Sequence, residues 1–230
     1  MKKIYIIAIS CASFLFGCKD YYDVKNDPIT YGQSYLDIDL YTDKPLYSPG
    51  ENVKFTIKSV PAGAKVRYSF LGNVIKEDNL TASTWTWQAP SEDFRGYMVE
   101  VYTVTNGVEK TVSNIGVDVS SNWSKFPRYG FLSNYDKLSD IHIGKNIDLL
   151  NRYHINGLQF YDWLYDHHRP LAGTVANPVL SWPDIFGRYN YYSTVKGYVD
   201  AAKAKKMKTM FYNLCYGALN SAPADGVKEE

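Results

Sequence analysis

Cysteine and histidine are scarce in this 230-residue chain, and each scarcity closes off a class of chemistry. There are three cysteines, Cys11, Cys18 and Cys215, and four histidines, His142, His154, His167 and His168. If the first two cysteines belong to a leader and its processing site, only Cys215 remains, so no internal disulfide can form. A domain of this size can do without one, because it buries enough apolar surface on its own. No HExxH and no spaced cysteine set accompanies the histidines, so no metal site and no cofactor is expected. Excess charge of either sign is also lacking: 25 Lys and Arg face 24 Asp and Glu, a formal net charge of +1. Nucleic acid, which calls for a strongly basic face, is not an expected partner. Nor is there an apolar run of the roughly 20 residues that a membrane-spanning helix needs.

What is present begins with Lys2 and Lys3, then a short apolar stretch from Ile4 to Phe16, then Leu15-Phe16-Gly17-Cys18. Two lysines hold the start of the chain on the cytoplasmic side, and the short apolar stretch inserts without spanning, which is the pattern of a targeting segment. The tetrad ending at Cys18 resembles the lipobox of bacterial lipoproteins, which implies cleavage after residue 17 and acylation of the Cys18 sulfur. Acyl chains contribute about 0.8 kcal/mol per buried methylene, so two or more give lasting attachment. The following Lys19-Asp20-Tyr21-Tyr22-Asp23 is similar to the export tags of surface lipoproteins. The expected location is the outer membrane or cell surface, with the membrane as partner through the lipid anchor. Loss of residues 1–17 removes Lys2 and Lys3 and takes the formal charge from +1 to about −1.

Residues 18–33 read as a tether and 34–120 as an all-β module. Val53, Phe55 and Ile57 alternate with Lys54 and Thr56, and Val66, Tyr68 and Phe70 with Arg67 and Ser69, the period of a half-buried sheet. Further strand-like runs hold Val99, Val101 and Thr103, then Val117 and Val119. Turn signals punctuate them, the strongest being Asn106-Gly107, since both residues tolerate the positive φ of a type I′ hairpin. Many short strands at this spacing predict a β-sandwich of immunoglobulin-like layout, without the cysteine pair.

From 121 to 230 the period changes. A helix is predicted from Asn146 to Tyr153, followed by a strand Leu158–Tyr161. A second helix, capped by Ser193 or Thr194, carries an apolar stripe of Val195, Tyr198, Val199 and Ala202, and a second strand, Thr209–Tyr212, follows it. Strand, helix and parallel strand form a βαβ crossover, so the fold class is multidomain β plus α/β. Sixteen per cent of the residues are aromatic, 21 of them tyrosine. That suits stacking on sugar rings and equally suits a tyrosine-rich sheet protein, so composition does not choose between the two.

Four segments of the second half resemble glycoside hydrolase family 66. They are Ser124-Lys125-Phe126-Pro127-Arg128-Tyr129-Gly130-Phe131-Leu132, Tyr153-His154-Ile155-Asn156-Gly157-Leu158-Gln159-Phe160-Tyr161-Asp162-Trp163, Thr194-Val195-Lys196-Gly197-Tyr198, and Phe211-Tyr212-Asn213-Leu214-Cys215-Tyr216-Gly217-Ala218. The family holds endo-dextranases and cycloisomaltooligosaccharide glucanotransferases. The resemblance implies that 121–230 is the first part of a (β/α)₈ TIM barrel acting on α-1,6-glucan with retention of configuration. It implies an aspartate nucleophile and a glutamate acid/base on later strands, beyond residue 230. Leu158–Tyr161 would then be the first barrel strand and Thr209–Tyr212 the second. Catalytic and binding side chains of such barrels gather at the C-terminal strand ends. Tyr161, Asp162, Trp163, His168 and Tyr212 are therefore the expected substrate-binding residues, with no catalytic residue assigned within the chain. Tyr161 and Asp162 would hold the sugar at the cleavage point, and Trp163 would stack on it. The alternative, that Tyr161 and Tyr212 pack in the barrel interior while Trp163 covers a loop, stays open. Asp162 and Asp166 are expected to orient hydroxyls or neighbouring side chains. A second functional reading is a surface glycan-binding lipoprotein that does not cut.

The leader makes a direct prediction. Metabolic labelling with a fatty acid marks the protein, and Cys18→Ala abolishes the label and leaves unprocessed precursor; equal labelling of the variant would refute the assignment.

Overall fold

The computed structural model describes residues 39–214 and 217–228. The leader, Cys18, the tether and Cys215 lie outside the described residues. The first seven strands form two antiparallel sheets. One has the order β1 (Leu40–Thr42), β2 (Asn52–Ile57), β5 (Thr84–Gln88); the other has the order β4 (Asn73–Asn79), β3 (Lys65–Phe70), β6 (Arg95–Thr105), β7 (Val108–Val119). Val53, Phe55, Ile57 and Trp87 from the first sheet meet Val66, Tyr68, Tyr97, Val99, Val101 and Val117 from the second in one buried core. Each such side chain contributes about 1.5–3 kcal/mol by leaving water. Aromatic rings align the layers: Tyr68 stacks on Trp87 at 4.7 Å and the Trp85 indole donates to the Tyr68 hydroxyl at 2.9 Å, while Phe55 stacks on Trp85, its partner within one sheet, at 5.0 Å. Asn106 (φ 52°) and Gly107 (φ 77°) close the β6–β7 hairpin between Thr105 and Val108, the geometry their sequence predicts.

The remaining chain builds a parallel sheet with the order β8 (Tyr129–Leu132), β9 (Gly157–Phe160), β12 (Lys208–Phe211), and a small antiparallel pair, β10 (Ser181–Pro183) and β11 (Tyr189–Tyr191). Among the described residues none of the four sheets closes into a barrel. Helix α1 (Asp140–Arg152) joins β8 to β9, and α2 (Tyr192–Ala204) precedes β12. The strands expected as first and second are thus the second and third. The four-residue β8 comes before them, its alternation hidden by Gly130. Helix α1 also starts six residues earlier than its apolar spacing indicates. Ser139 caps it by accepting the backbone N–H of His142, and Ile143, Ile147 and Asn151 form its buried stripe. Neither Ser193 nor Thr194 caps α2, whose N-cap is Tyr191. The buried Thr194 hydroxyl instead donates to the Asp136 carbonyl at 2.7 Å and accepts from Leu138 N–H at 3.2 Å, tying α2 to the segment leading into α1. The two helices approach closely at Gly197, where a Cβ would come within 2.7 Å of Ile143.

Polar contacts join the sandwich to this second part. Asn151 donates to the Thr42 carbonyl at 2.7 Å, Lys205 to the Asp43 carbonyl at 3.2 Å, and Asp39 and Asp118 pair with Arg152 and Arg128. Beneath the N-terminal ends of the parallel strands, the fully buried Asn156 accepts from the Trp123 indole (2.8 Å) and the Arg128 N–H (2.9 Å) and donates to the Phe126 carbonyl (2.6 Å). The Trp123 ring fills the space beside Gly157, where a Cβ would sit 2.7 Å from it. Glu51 of the sandwich receives Lys44 from its own module and Lys206 from the end of α2, the latter at 2.7 Å. Burial disfavours the Glu51 anion, but hydrogen bonds from Lys206, Lys44 and the Ser48 N–H outweigh it and hold the pKa at about 2, against an ordinary 4.5.

A carboxyl whose pKa is lower folded than unfolded stabilises the fold above the unfolded value, and that contribution is lost as pH falls toward the folded one. Urea unfolding should therefore show wild type losing its advantage over Glu51→Gln between about pH 4.5 and pH 2. A difference between the two that stays constant across this window would show that Glu51 does not clamp the two parts.

Candidate functional site

The C-terminal ends of the three parallel strands bring together Tyr161, Asp162, Trp163 and Tyr212. Hydrogen bonding runs one residue past each strand: Tyr161 N–H reaches the Leu132 carbonyl at 2.8 Å and Tyr212 N–H the Phe160 carbonyl at 3.0 Å. In a parallel sheet, residues in register project to the same side. Leu132, Phe160 and Phe211 are in register, so the next residues along, Tyr161 and Tyr212, share the face away from the helices. Their rings lie 4.8 Å apart at 48°, and Phe131 meets Tyr161 edge-on at 6.4 Å. Tyr161 is 41% exposed, an aromatic surface open at the strand ends. Below it, buried Tyr135 stacks on Phe160 and its hydroxyl donates to the carbonyls of Leu132 and Tyr161. Burial pushes the Tyr135 phenol well above its ordinary pKa, so it stays a donor.

Asp162 sits at φ 53°, a left-handed backbone that costs a non-glycine residue on the order of 1 kcal/mol and calls for support from its surroundings. That support is visible. Arg188 bonds the Asp162 carboxylate at 3.1 Å and, through Nε, the Asp184 carboxylate at 2.7 Å. The Asp184 side chain is 1% exposed and also accepts the N–H groups of Phe186 and Arg188, so the guanidinium is held on a fully bonded buried anion. Asn190 spans the carbonyls of Asp162 and Trp163, each at 3.3 Å. Trp163 packs edge-on against Phe211 at 4.8 Å and donates its indole N–H to the Tyr212 carbonyl at 2.9 Å, while Trp182 donates to the Trp163 carbonyl. Trp163 thereby joins the second strand end to the third.

His168 belongs to a different cluster. Its side chain is buried, with Nε2 2.9 Å from Asp225. Arg169 bonds Asp225 at 2.8 Å and Asp166 at 3.0 Å. The hydrogen bond from His168 and the charge of Arg169 hold the Asp225 carboxyl below the usual range. Ligand atoms of Asp166, His168 and Asp225 lie within 4.8 Å of one another. A divalent cation there would have to displace the guanidinium that already neutralises both carboxylates, so the donor set reads as an ion-paired clasp on the turn Ala222–Asp225.

Sequence reasoning missed Arg188, Asp184, Asn190 and Tyr135. The Asp184-to-Arg188 spacing around Gly187 signals a turn, but nothing local shows that the turn reaches Asp162.

A chain whose consecutive strands lie side by side and parallel, joined by helices, with polar and aromatic groups at their C-terminal ends, has the layout of α/β enzymes. The family model described as glycosyl hydrolase family 66 matches residues 42–230, and the chain belongs to that family. A cycloisomaltooligosaccharide glucanotransferase of Niallia circulans is 31% identical over 215 residues, covering 83% of this chain and 22% of that protein. A second from the same organism is 28% identical over 209 residues, covering 83% and 21%. The crystal structure of a Paenibacillus sp. cycloisomaltooligosaccharide glucanotransferase complexed with cycloisomaltoheptaose superposes with a TM-score of 0.73 at 26% identity, covering 84% of this chain and 30% of that one. The chain spans about a fifth of the length of the curated relatives it matches.

Proposed function

We propose that this chain forms the front portion of a retaining glycoside hydrolase that acts on α-1,6-linked glucan, held at the outer membrane or cell surface by lipid on Cys18. In this reading residues 34–120 are an immunoglobulin-like module, and the parallel sheet supplies the first three strands of a (β/α)₈ barrel. The observation that carries it is the convergence of Tyr161, Asp162 and Tyr212 at the C-terminal ends of adjacent parallel strands. Family membership and the glucan-related names of the relatives support it.

The chemistry assigns these residues to binding. A retaining enzyme needs two carboxyls about 5–5.5 Å apart, one to attack the anomeric carbon and one to protonate the departing oxygen. Asp162 and Asp184 share the guanidinium of Arg188, and Asp166 is paired with Arg169. A carboxylate so held keeps lone pairs that accept a sugar hydroxyl, and its guanidinium partner fixes where it points. Asp162 therefore orients the sugar, and the Tyr161 and Tyr212 rings present apolar surface to it. The reacting pair lies on strands encoded beyond residue 230. Whether water or a glucan hydroxyl takes the glycosyl group is decided by the groups around that pair.

A reducing-sugar assay on dextran tests this. Residues 18–230 show no turnover, whereas a longer chain carrying the later strands cleaves dextran. In that longer chain Asp162→Asn loses about 10- to 100-fold in kcat/KM, as expected for one hydrogen bond to a charged group worth roughly 1.5–3 kcal/mol. Sustained cleavage by residues 18–230 that disappears on Asp162→Asn or Asp166→Asn would place the catalytic pair inside this chain and overturn the reading.

A further inference from the structure

The segment between β9 and α2 forms a half-open cavity of about 420 Å³ lined by Tyr165, Arg169, Gly173, Val179, Ser181 and Trp182, among others. Its volume falls within the roughly 300–1,000 Å³ of typical ligand pockets. Every lining residue comes from 165–183, within the one segment that joins β9 to α2. Both walls are braced. On one side Tyr165 N–H bonds the Pro170 carbonyl at 3.1 Å, and Asp166 and Arg169 exchange backbone hydrogen bonds at 3.2 Å. On the other, Val179 N–H bonds the Ala172 carbonyl at 3.0 Å, and Thr174 and Asn177 close a turn. Gly173, at φ 83°, is required in that turn: a Cβ would lie 2.6 Å from the Asn177 carbonyl oxygen. Trp182 is anchored by its indole bond to the Trp163 carbonyl, and none of Tyr161, Asp162, Trp163 and Tyr212 lines the cavity.

The lining selects the ligand. The partly exposed Tyr165 ring lies beside a hydroxyl from Ser181 and the edge of the Arg169 guanidinium, with the almost fully buried Trp182 as the cavity floor. That guanidinium sits over the Tyr165 ring at 5.2 Å and is matched by Asp166 and Asp225. With its charge offset twice, it attracts no anion strongly, and no acidic side chain lines the cavity to draw a cation. A neutral, polyhydroxylated ring with an apolar face fits these groups. We propose that this cavity is a secondary site for a glucosyl unit of α-1,6-glucan, separate from the strand-end site, holding the polymer away from the reacting bond. The proposal rests on the glucan reading above.

The test is titration of isomaltotriose into the full chain, followed by amide and indole NMR. The expected result is saturable shifts of the Gly173 and Ser181 amides and the Trp182 indole. Val179, 44% exposed at the cavity mouth, can be enlarged without disturbing the core. Val179→Trp should weaken binding at least tenfold and Ser181→Ala several-fold. Absence of these shifts, shifts confined to Tyr161 and Tyr212, or wild-type affinity in folded Val179→Trp would each overturn the proposal. The dextran assay on the longer chain is independent of these outcomes, so this site can fail while the glucan reading stands.

Discussion

A parallel sheet is stable only when both of its faces are covered, and that requirement governs the second half of this chain. Helices α1 and α2 cover one face, where Leu132, Leu158 and Phe160 pack with Ile143, Ile147, Val195, Tyr198 and Ala202. On the opposite face Phe131 is 63% exposed and Tyr129 54% exposed. Both edge strands, β8 and β12, have a single neighbour among the described residues. The same face that lacks cover carries Tyr161 and Tyr212 at its C-terminal rim. The aromatic rim at the strand ends and the uncovered face of the sheet are therefore one continuous surface.

Several contacts brace this sheet from outside. At its N-terminal end, Asn156 and Trp123 satisfy the backbone that enters β8 and β9, and Gly157 gives the indole room. At its C-terminal end the bracing runs from buried Asp184 through Arg188 to Asp162, and from Trp182 through Trp163 to the third strand. The sandwich adds Glu51, which joins lysines from both parts. A residue in a costly backbone conformation, as Asp162 is, persists only with such support from its surroundings.

How much of this was legible in the sequence depends on how local each signal is. The Val53, Phe55, Ile57 alternation and the Asn106-Gly107 turn act over a few residues, and the structure reproduces them. Strand β4 is exposed along its whole length, so it has no alternation to read, and β8 is broken up by Gly130. The start of α1 escaped because its first turn holds one stripe residue, Ile143, beside the exposed Ile141 two positions earlier, a spacing that does not read as a helix, although Ser139 is a good cap. The placement of Tyr161, Asp162 and Tyr212 at the strand ends was legible because they directly follow short apolar strand runs. Arg188 was not, since its bond to Asp162 spans 26 residues and depends on how the β10–β11 pair folds back. His168 was legible as a polar group near the same strand, but its partner Asp225 is 57 residues away and draws it into the clasp.

Amide hydrogen exchange on the full chain tests the central claim, that the parallel sheet is the incompletely covered part of this fold. Opening free energies differ between cooperative units of one protein, and a hundredfold difference in protection corresponds to about 2.7 kcal/mol. The account predicts slowest exchange in β3 and β6, whose neighbours pair them on both sides, and exchange on the order of a hundredfold faster in β8 and β12, with β9 between. Equal protection across β3, β6, β8 and β12 would contradict it, because a sheet bare on one face and open at both edges cannot be as resistant to opening as the sealed sandwich.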